Sequence, residues 1–132
     1  PKDLYNNPKN KFVANFIGDA NVVSAEIESQ EGNSYKIKLA EMKINIISEK
    51  NITGNISVAL RPEKININKK KSENNINAKV TNASFVGSNY QYILSTNIGK
   101  IYVVSNDTTN IHNVDDEVFL SLDEKEVKIL KD

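Results

Sequence analysis

The sequence predicts an all-β domain preceded by a short helical segment, and three observations carry that reading. From Asn21 onward, apolar residues alternate with polar ones at a period of two, which places every second side chain on one face of a strand. Turn-forming clusters recur at short intervals, at 30–33, 53–55, 69–75 and 87–89. Many short strands punctuated this way indicate a β-barrel or sandwich. Before Asn21 the period is different: Phe12, Val13, Phe16 and Ile17 recur at helical spacing, and Gly18 follows where a left-handed residue would end a helix.

The elements follow in order. Leu4 and Tyr5 precede Pro8, which separates them from the helical stretch at 9–17. Val23, Ala25 and Ile27 form the first strand, and Tyr35, Ile37 and Leu39 its return. Met42, Ile44 and Ile46 continue that pattern up to the turn at 53–55. Ile56, Val58 and Leu60 make the next strand, which ends at Arg61-Pro62-Glu63 because Pro62 has no N–H to give to a ladder. Ile65 and Ile67 follow. The second half begins at Ile76, Ala78 and Val80, and continues through Tyr90, Tyr92 and Leu94 to the apolar run 101–104. Val118, Leu120 and Leu122, then Val127 and Ile129, close the chain.

Composition bounds the function. At 132 residues, with 39% hydrophobic and 26% charged residues, the chain suits one folded domain. Seventeen basic residues balance seventeen acidic ones, so no net field draws nucleic acid or an anionic membrane. Cysteine is absent, which excludes disulfides, thiolate metal sites and cysteine nucleophiles. No apolar run reaches the roughly 20 residues of a membrane span, and the first ten residues are too polar for a signal peptide. Heavy use of Asn, Ile and Lys reflects AT-rich codons. The Asn-x-Ser/Thr triplets at Asn51, Asn55, Asn82 and Asn106 are discounted on that ground.

Catalytic chemistry finds no foothold, and the expectation is no catalytic, cofactor-binding or metal-ligating residue. The one histidine, His112, sits in an Asn- and Asp-rich loop and reads as a surface residue. Asp115, Asp116 and Glu117 lack calcium-loop spacing and read as a solvated acidic turn. There is no nucleophile elbow and no phosphate-cradling glycine loop. Lys69, Lys70 and Lys71 form a basic triplet without interleaved aromatics, expected as a solvated loop. Tyr90 and Tyr92 share a strand face, where packing is the usual role. Arg61, the only arginine, stands beside Pro62 and Glu63, and is expected to make a fixed polar contact at a strand end or an interface.

Two stretches resemble the region that follows the nucleotide-binding domain in ABC importer ATPases. Residues 1–21, PKDLYNNPKNKFVANFIGDAN, match its pattern at Pro1, Leu4, Tyr5, Pro8, Asn10, Phe12, Val13, Ala14, Phe16, Ile17, Gly18 and Asn21. Leu60-Arg61-Pro62-Glu63 then matches the LRPE signature of the TOBE domain, and Gly87, Gly99 and the closing LSLDEKEVKIL resemble its late strands. The resemblance implies an OB-type barrel of short antiparallel strands over 21–132, tied by a helical connector at 1–20 to a nucleotide-binding domain outside this sequence. It implies a non-catalytic regulatory and dimer-steadying role, with ATP and magnesium bound in that other domain and no cofactor here. The implied partners are the subunit's own nucleotide-binding domain, a second copy of the subunit and the permease subunits, with no nucleic acid. The implied location is the cytoplasmic face of a bacterial cell membrane, the fragment itself being soluble. Phe12, Phe16, Asn21, Arg61, Pro62 and Glu63 are the implied interdomain or structural residues. Sugar-transporter relatives carry Ser-Pro-x-Met-Asn where this chain has Asp19-Ala20-Asn21. That departure points away from sugars, and overall similarity favours spermidine/putrescine, with ferric iron, phosphonate or another solute as the alternative, or a small-ligand or oxyanion sensor.

Overall fold

The computed structural model describes residues 20–130. The helical connector expected at 1–20, with Phe12 and Phe16, lies outside the described residues except for Ala20. From Asn21 the chain is ten strands and two short 3-10 turns: β1 (Asn21–Glu31), β2 (Ser34–Leu39), β3 (Met42–Ile47), β4 (Asn55–Leu60), a 3-10 turn at Pro62–Lys64, β5 (Asn66–Asn68), β6 (Ile76–Phe85), β7 (Tyr90–Thr96), β8 (Gly99–Ser105), β9 (Glu117–Ser121), a 3-10 turn at Glu124–Glu126, and β10 (Val127–Leu130). The all-β class expected from the period of two is what the structure has.

The strands form two antiparallel five-stranded sheets, ordered β10-β4-β1-β2-β3 and β5-β9-β6-β7-β8. Alternation determines which face of each strand is buried. Val23 and Ala25 of β1, Tyr35, Ile37 and Leu39 of β2, and Met42 and Ile44 of β3 point inward from the first sheet. Ile76 and Val80 of β6, Tyr92 and Leu94 of β7, and Ile101 and Val103 of β8 answer from the second, in one continuous core. The two longest strands each carry a register shift, at Ile27/Ser29 in β1 and Val80/Asn82 in β6. An extra residue at such a point bends the strand and raises its twist, which curls each sheet over the core.

The connectivity repeats. In the first half, a bulged long strand, two hairpin strands, a fourth strand and a 3-10 turn run from β1 to Lys64. The second half repeats that order from β6 to Glu126. Around the two 3-10 turns, residues 60–67 (LRPEKINI) line up with 122–129 (LDEKEVKI), so that buried Ile65 corresponds to buried Val127. The last strand of each half is exchanged. β5 leaves the first half to pair with β9, and β10 leaves the second to pair with β4. Neither sheet is complete without a strand from the other half.

One turn departs from the sequence reading. Met42, Ile44 and Ile46 form a separate strand, β3, because the chain reverses at Ala40–Glu41. Ala40 takes a left-handed conformation at φ 52° without being glycine. Glu41 holds the reversal in place by accepting the Asn77 N–H (2.9 Å) and the side-chain amide of Asn97 in the β7–β8 turn. The apolar positions change parity between Leu39 and Met42, which is the trace a two-residue turn leaves.

Candidate functional site

Asn21, at the start of β1, is 2% exposed. Its Nδ2 donates to the carbonyl oxygens of Leu60 (3.1 Å) and Tyr102 (2.9 Å), and its Oδ1 accepts the Tyr102 N–H (2.8 Å). Tyr102 lies on β8, the strand at one edge of the second sheet. The side-chain amide therefore pairs both main-chain groups of an edge residue, as a neighbouring strand would. Asn74, just before β6, does the same at the edge of the first sheet: its Oδ1 accepts the Lys43 N–H (2.8 Å) and its Nδ2 donates to the Lys43 carbonyl (2.7 Å). Glu124 extends that seam by accepting the Asn45 N–H (3.0 Å). The two asparagines occupy corresponding places in the repeated connectivity, Asn21 opening one bulged long strand and Asn74 just ahead of the other, and each bonds to the edge strand of the opposite half.

Arg61, Pro62 and Glu63 follow β4. Pro62 opens the 3-10 turn and is buried, and the turn packs on β8. Arg61 and Glu63 are exposed, and among the described residues neither makes a hydrogen bond or ion pair through its side chain. The corresponding turn at Glu124–Glu126 is capped by Asp123, whose carboxylate accepts the Lys125 N–H (3.0 Å). Arg61 provides no such cap.

A pocket of about 730 Å³ opens beside β5 and β9, lined by the basic triplet and by His112, Asp107 and Asn110. The sequence placed His112 at the surface, but the residue is 7% exposed. It packs edge-on against Tyr92, with ring centroids 5.5 Å apart, and Tyr92 stacks on Tyr90 at 5.9 Å. The Tyr92 hydroxyl accepts the His112 N–H (3.2 Å). The Tyr92 ring, 20 positions away in sequence, packs against this loop residue, and nothing in the local composition reports that contact. Nδ1 of His112 is buried without a hydrogen-bond partner. Burial pushes the imidazole pKa below its ordinary value, and the charge of Lys69 pushes it the same way, against weaker pulls from Asp116 and Asp107. Burial likewise raises the Tyr92 hydroxyl. Among the described residues, no three His, Cys, Asp or Glu side chains gather as a metal site.

The TOBE domain family matches residues 58–130, from β4 through the LRPE turn to the end of β10. The chain belongs to the TOBE domain family. Its relatives are ATP-binding proteins of import systems. It is 35% identical over 108 residues to the Fe(3+) ions import ATP-binding protein FbpC of Fusobacterium nucleatum, covering 79% of this chain and 28% of that protein. It is 35% identical over 109 residues to the spermidine/putrescine import ATP-binding protein PotA of Clostridioides difficile, covering 80% and 29%. The FbpC of Agrobacterium fabrum is 24% identical over 130 residues, covering 98% and 36%. The chain thus spans about a third of the length of these relatives. Among solved structures, the cytoplasmic molybdate-binding protein ModG with molybdate bound superposes with a TM-score of 0.68 at 11% identity, covering 83% of this chain and 94% of that one. That likeness shows the fold, which is OB-like.

Two outcomes follow from the site geometry. Asn21→Ala leaves the Tyr102 N–H and two carbonyls without their amide partner, and should destabilise the fold by about 3 kcal/mol, since each orphaned buried group costs about 1–3 kcal/mol. Asn74→Ala, at an exposed edge, should lose under about 1 kcal/mol where water replaces the bonds. Urea denaturation of both variants checks this ranking. The second outcome is acid lability. With its folded pKa below its unfolded value, His112 contributes stability that is complete above about pH 6.5 and is lost as pH falls below it. Melting temperature should therefore decline between pH 7 and pH 5, and the decline should flatten in His112→Phe. The strongly hydrogen-bonded carboxylate of Asp107 acts in a separate window, below about pH 4.

Proposed function

We propose that this chain is the non-catalytic regulatory domain of an ATP-binding subunit in an ABC import system, and that it steadies a pair of such subunits. The TOBE match over 58–130 carries the reading, because the relatives that share it are ATP-binding import proteins. On this proposal residues 21–132 are the regulatory domain, and 1–20 connect it to a nucleotide-binding domain that binds ATP and magnesium. Phe12 and Phe16 dock on that domain. Asn21 and Pro62 hold the barrel together. Arg61 and Glu63, exposed beyond β4, meet the second subunit. The assembly works at the cytoplasmic face of the membrane with permease subunits and a solute-binding protein.

For the solute we propose a polyamine. Ferric iron is the competing reading, supported by the FbpC relatives, one of which is as similar as PotA. Uptake in a strain lacking the gene separates them. Loss of ATP-dependent spermidine uptake, with iron uptake intact, supports the polyamine importer. Loss of ferric uptake alone reassigns the solute to iron, and loss of neither removes both solutes and leaves phosphonate or another solute. Restoring the full-length subunit should restore uptake, whereas a copy carrying Arg61→Glu should restore it only partly. Full restoration by that copy removes Arg61 from the subunit contact.

A further inference from the structure

Alternation assigns each strand residue to the core face or the outer face of its sheet. In the second sheet, Tyr92 and Leu94 of β7 and Ile101 and Val103 of β8 face the core. Ile93 and Tyr102, paired with each other across the same two strands, therefore face outward. On the first sheet outward positions are open: Lys36, Lys38, Lys43 and Asn45 are exposed, and so is Val22, at 61%. Ile93 and Tyr102 are instead 2% and 9% exposed. Among the described residues, every other buried apolar side chain belongs to the core, and these two do not. The covered spot has a boundary. Ser95 and Lys100, paired on one side of it, are exposed, while Gln91 and Val104 on the other side are half-buried.

An apolar pair buried on an outer face needs a second layer packed against it. The 3-10 turn at Pro62–Lys64 packs on β8, and Ile93 lies one strand further in, on β7. Residues 1–19 enter the fold beside the pair. Asn21 bonds to the N–H (2.8 Å) and carbonyl (2.9 Å) of Tyr102, and Ala20 is half-buried. From Ile17 to Asn21 the chain reaches at most about 14 Å, and neighbouring strands lie only about 5 Å apart. As a helix, 9–17 is about 13 Å long, enough to cross two or three strands. We propose that the segment 9–17 lies across the outer face of the second sheet, with Val13 and Ile17 seated on Ile93 and Tyr102.

On a helix Val13 and Ile17 form one row, and Phe12 and Phe16 another, about 100° round the axis. A helix striped this way meets two surfaces at once. The proposed function gives the phenylalanine row to the nucleotide-binding domain, and the choice of row rests on that reading; the docking itself does not. The connector is then a layer of this domain and not a tether, joined to β8 both by its apolar row and by the Asn21 amide.

The sequence has no cysteine, so a single introduced thiol carries a nitroxide spin label in the 132-residue chain. Ser95 is exposed and lies on the same face of β7 as Ile93. A label at Ser95→Cys should broaden the amide signals of 9–18 until most of their intensity is lost. A label at Lys36→Cys, on the outer face of the first sheet, should leave them sharp. V13D/I17D should abolish the broadening and F12S/F16S should keep it. Sharp signals for 9–18 with the Ser95→Cys label would overturn the proposal. So would broadening that survives V13D/I17D, or that F12S/F16S alone abolishes. Broadening passed from a spin-labelled chain to a separate isotope-labelled chain in a mixture would make a second copy the occupant, and would overturn it as well.

Discussion

Two asparagine amides stand in for missing strands, and the buried one, Asn21, carries the greater share of the stability. A curled sheet that does not close leaves edge N–H and C=O groups that need partners. Asn21 satisfies both groups of Tyr102 on β8, and Asn74 both groups of Lys43 on β3. Each bond set joins one half of the repeated connectivity to the edge of the other. An amide suits this task because it carries a donor and an acceptor in the geometry of a peptide group, which a carboxylate or hydroxyl does not.

The exchanged strands make the same point through the backbone. β5 and β10 complete each other's sheets, and the 3-10 turn ahead of each packs on the opposite edge strand, Pro62–Lys64 on β8 and Glu124–Glu126 on β3. Glu41 and Asn97 tie the two equivalent hairpin turns together. The two halves can separate only by breaking ladders, amide clamps and core at once. Such a module carries its surface loops, including the basic triplet and the LRPE turn, on a scaffold with little freedom of its own.

The strands were legible because a period of two survives even in a composition skewed toward Asn, Ile and Lys. The β2–β3 turn was legible in principle, through the parity change between Leu39 and Met42, but alanine at a left-handed position hid it. The clamps were not legible. Asn21 was singled out by a motif, yet Asn74 is one asparagine among many, and only its position against an edge strand 31 residues away in sequence distinguishes it. His112 was misread as a surface residue because its burial comes from Tyr92 on β7, 20 positions distant. The basic triplet read as a solvated loop, and its three lysines are exposed; the long-range bonds of Asn68 to β9 left no trace in the local sequence. The resemblance named Asn21 as an interdomain or structural residue, and the structure supplied the bonds it makes, to Leu60 and Tyr102.

Native-state hydrogen exchange at the Tyr102 amide tests the central claim most directly. This N–H lies on the outer edge of an edge strand, where an unpaired group exchanges through small local fluctuations. If the Asn21 amide holds it as a strand would, Tyr102 should exchange only through openings close in free energy to global unfolding, and should lose that protection in Asn21→Ala at a denaturant concentration where the core amides keep theirs. Fast exchange of Tyr102 in the unmutated protein, at the rate of a free edge amide, would contradict the account.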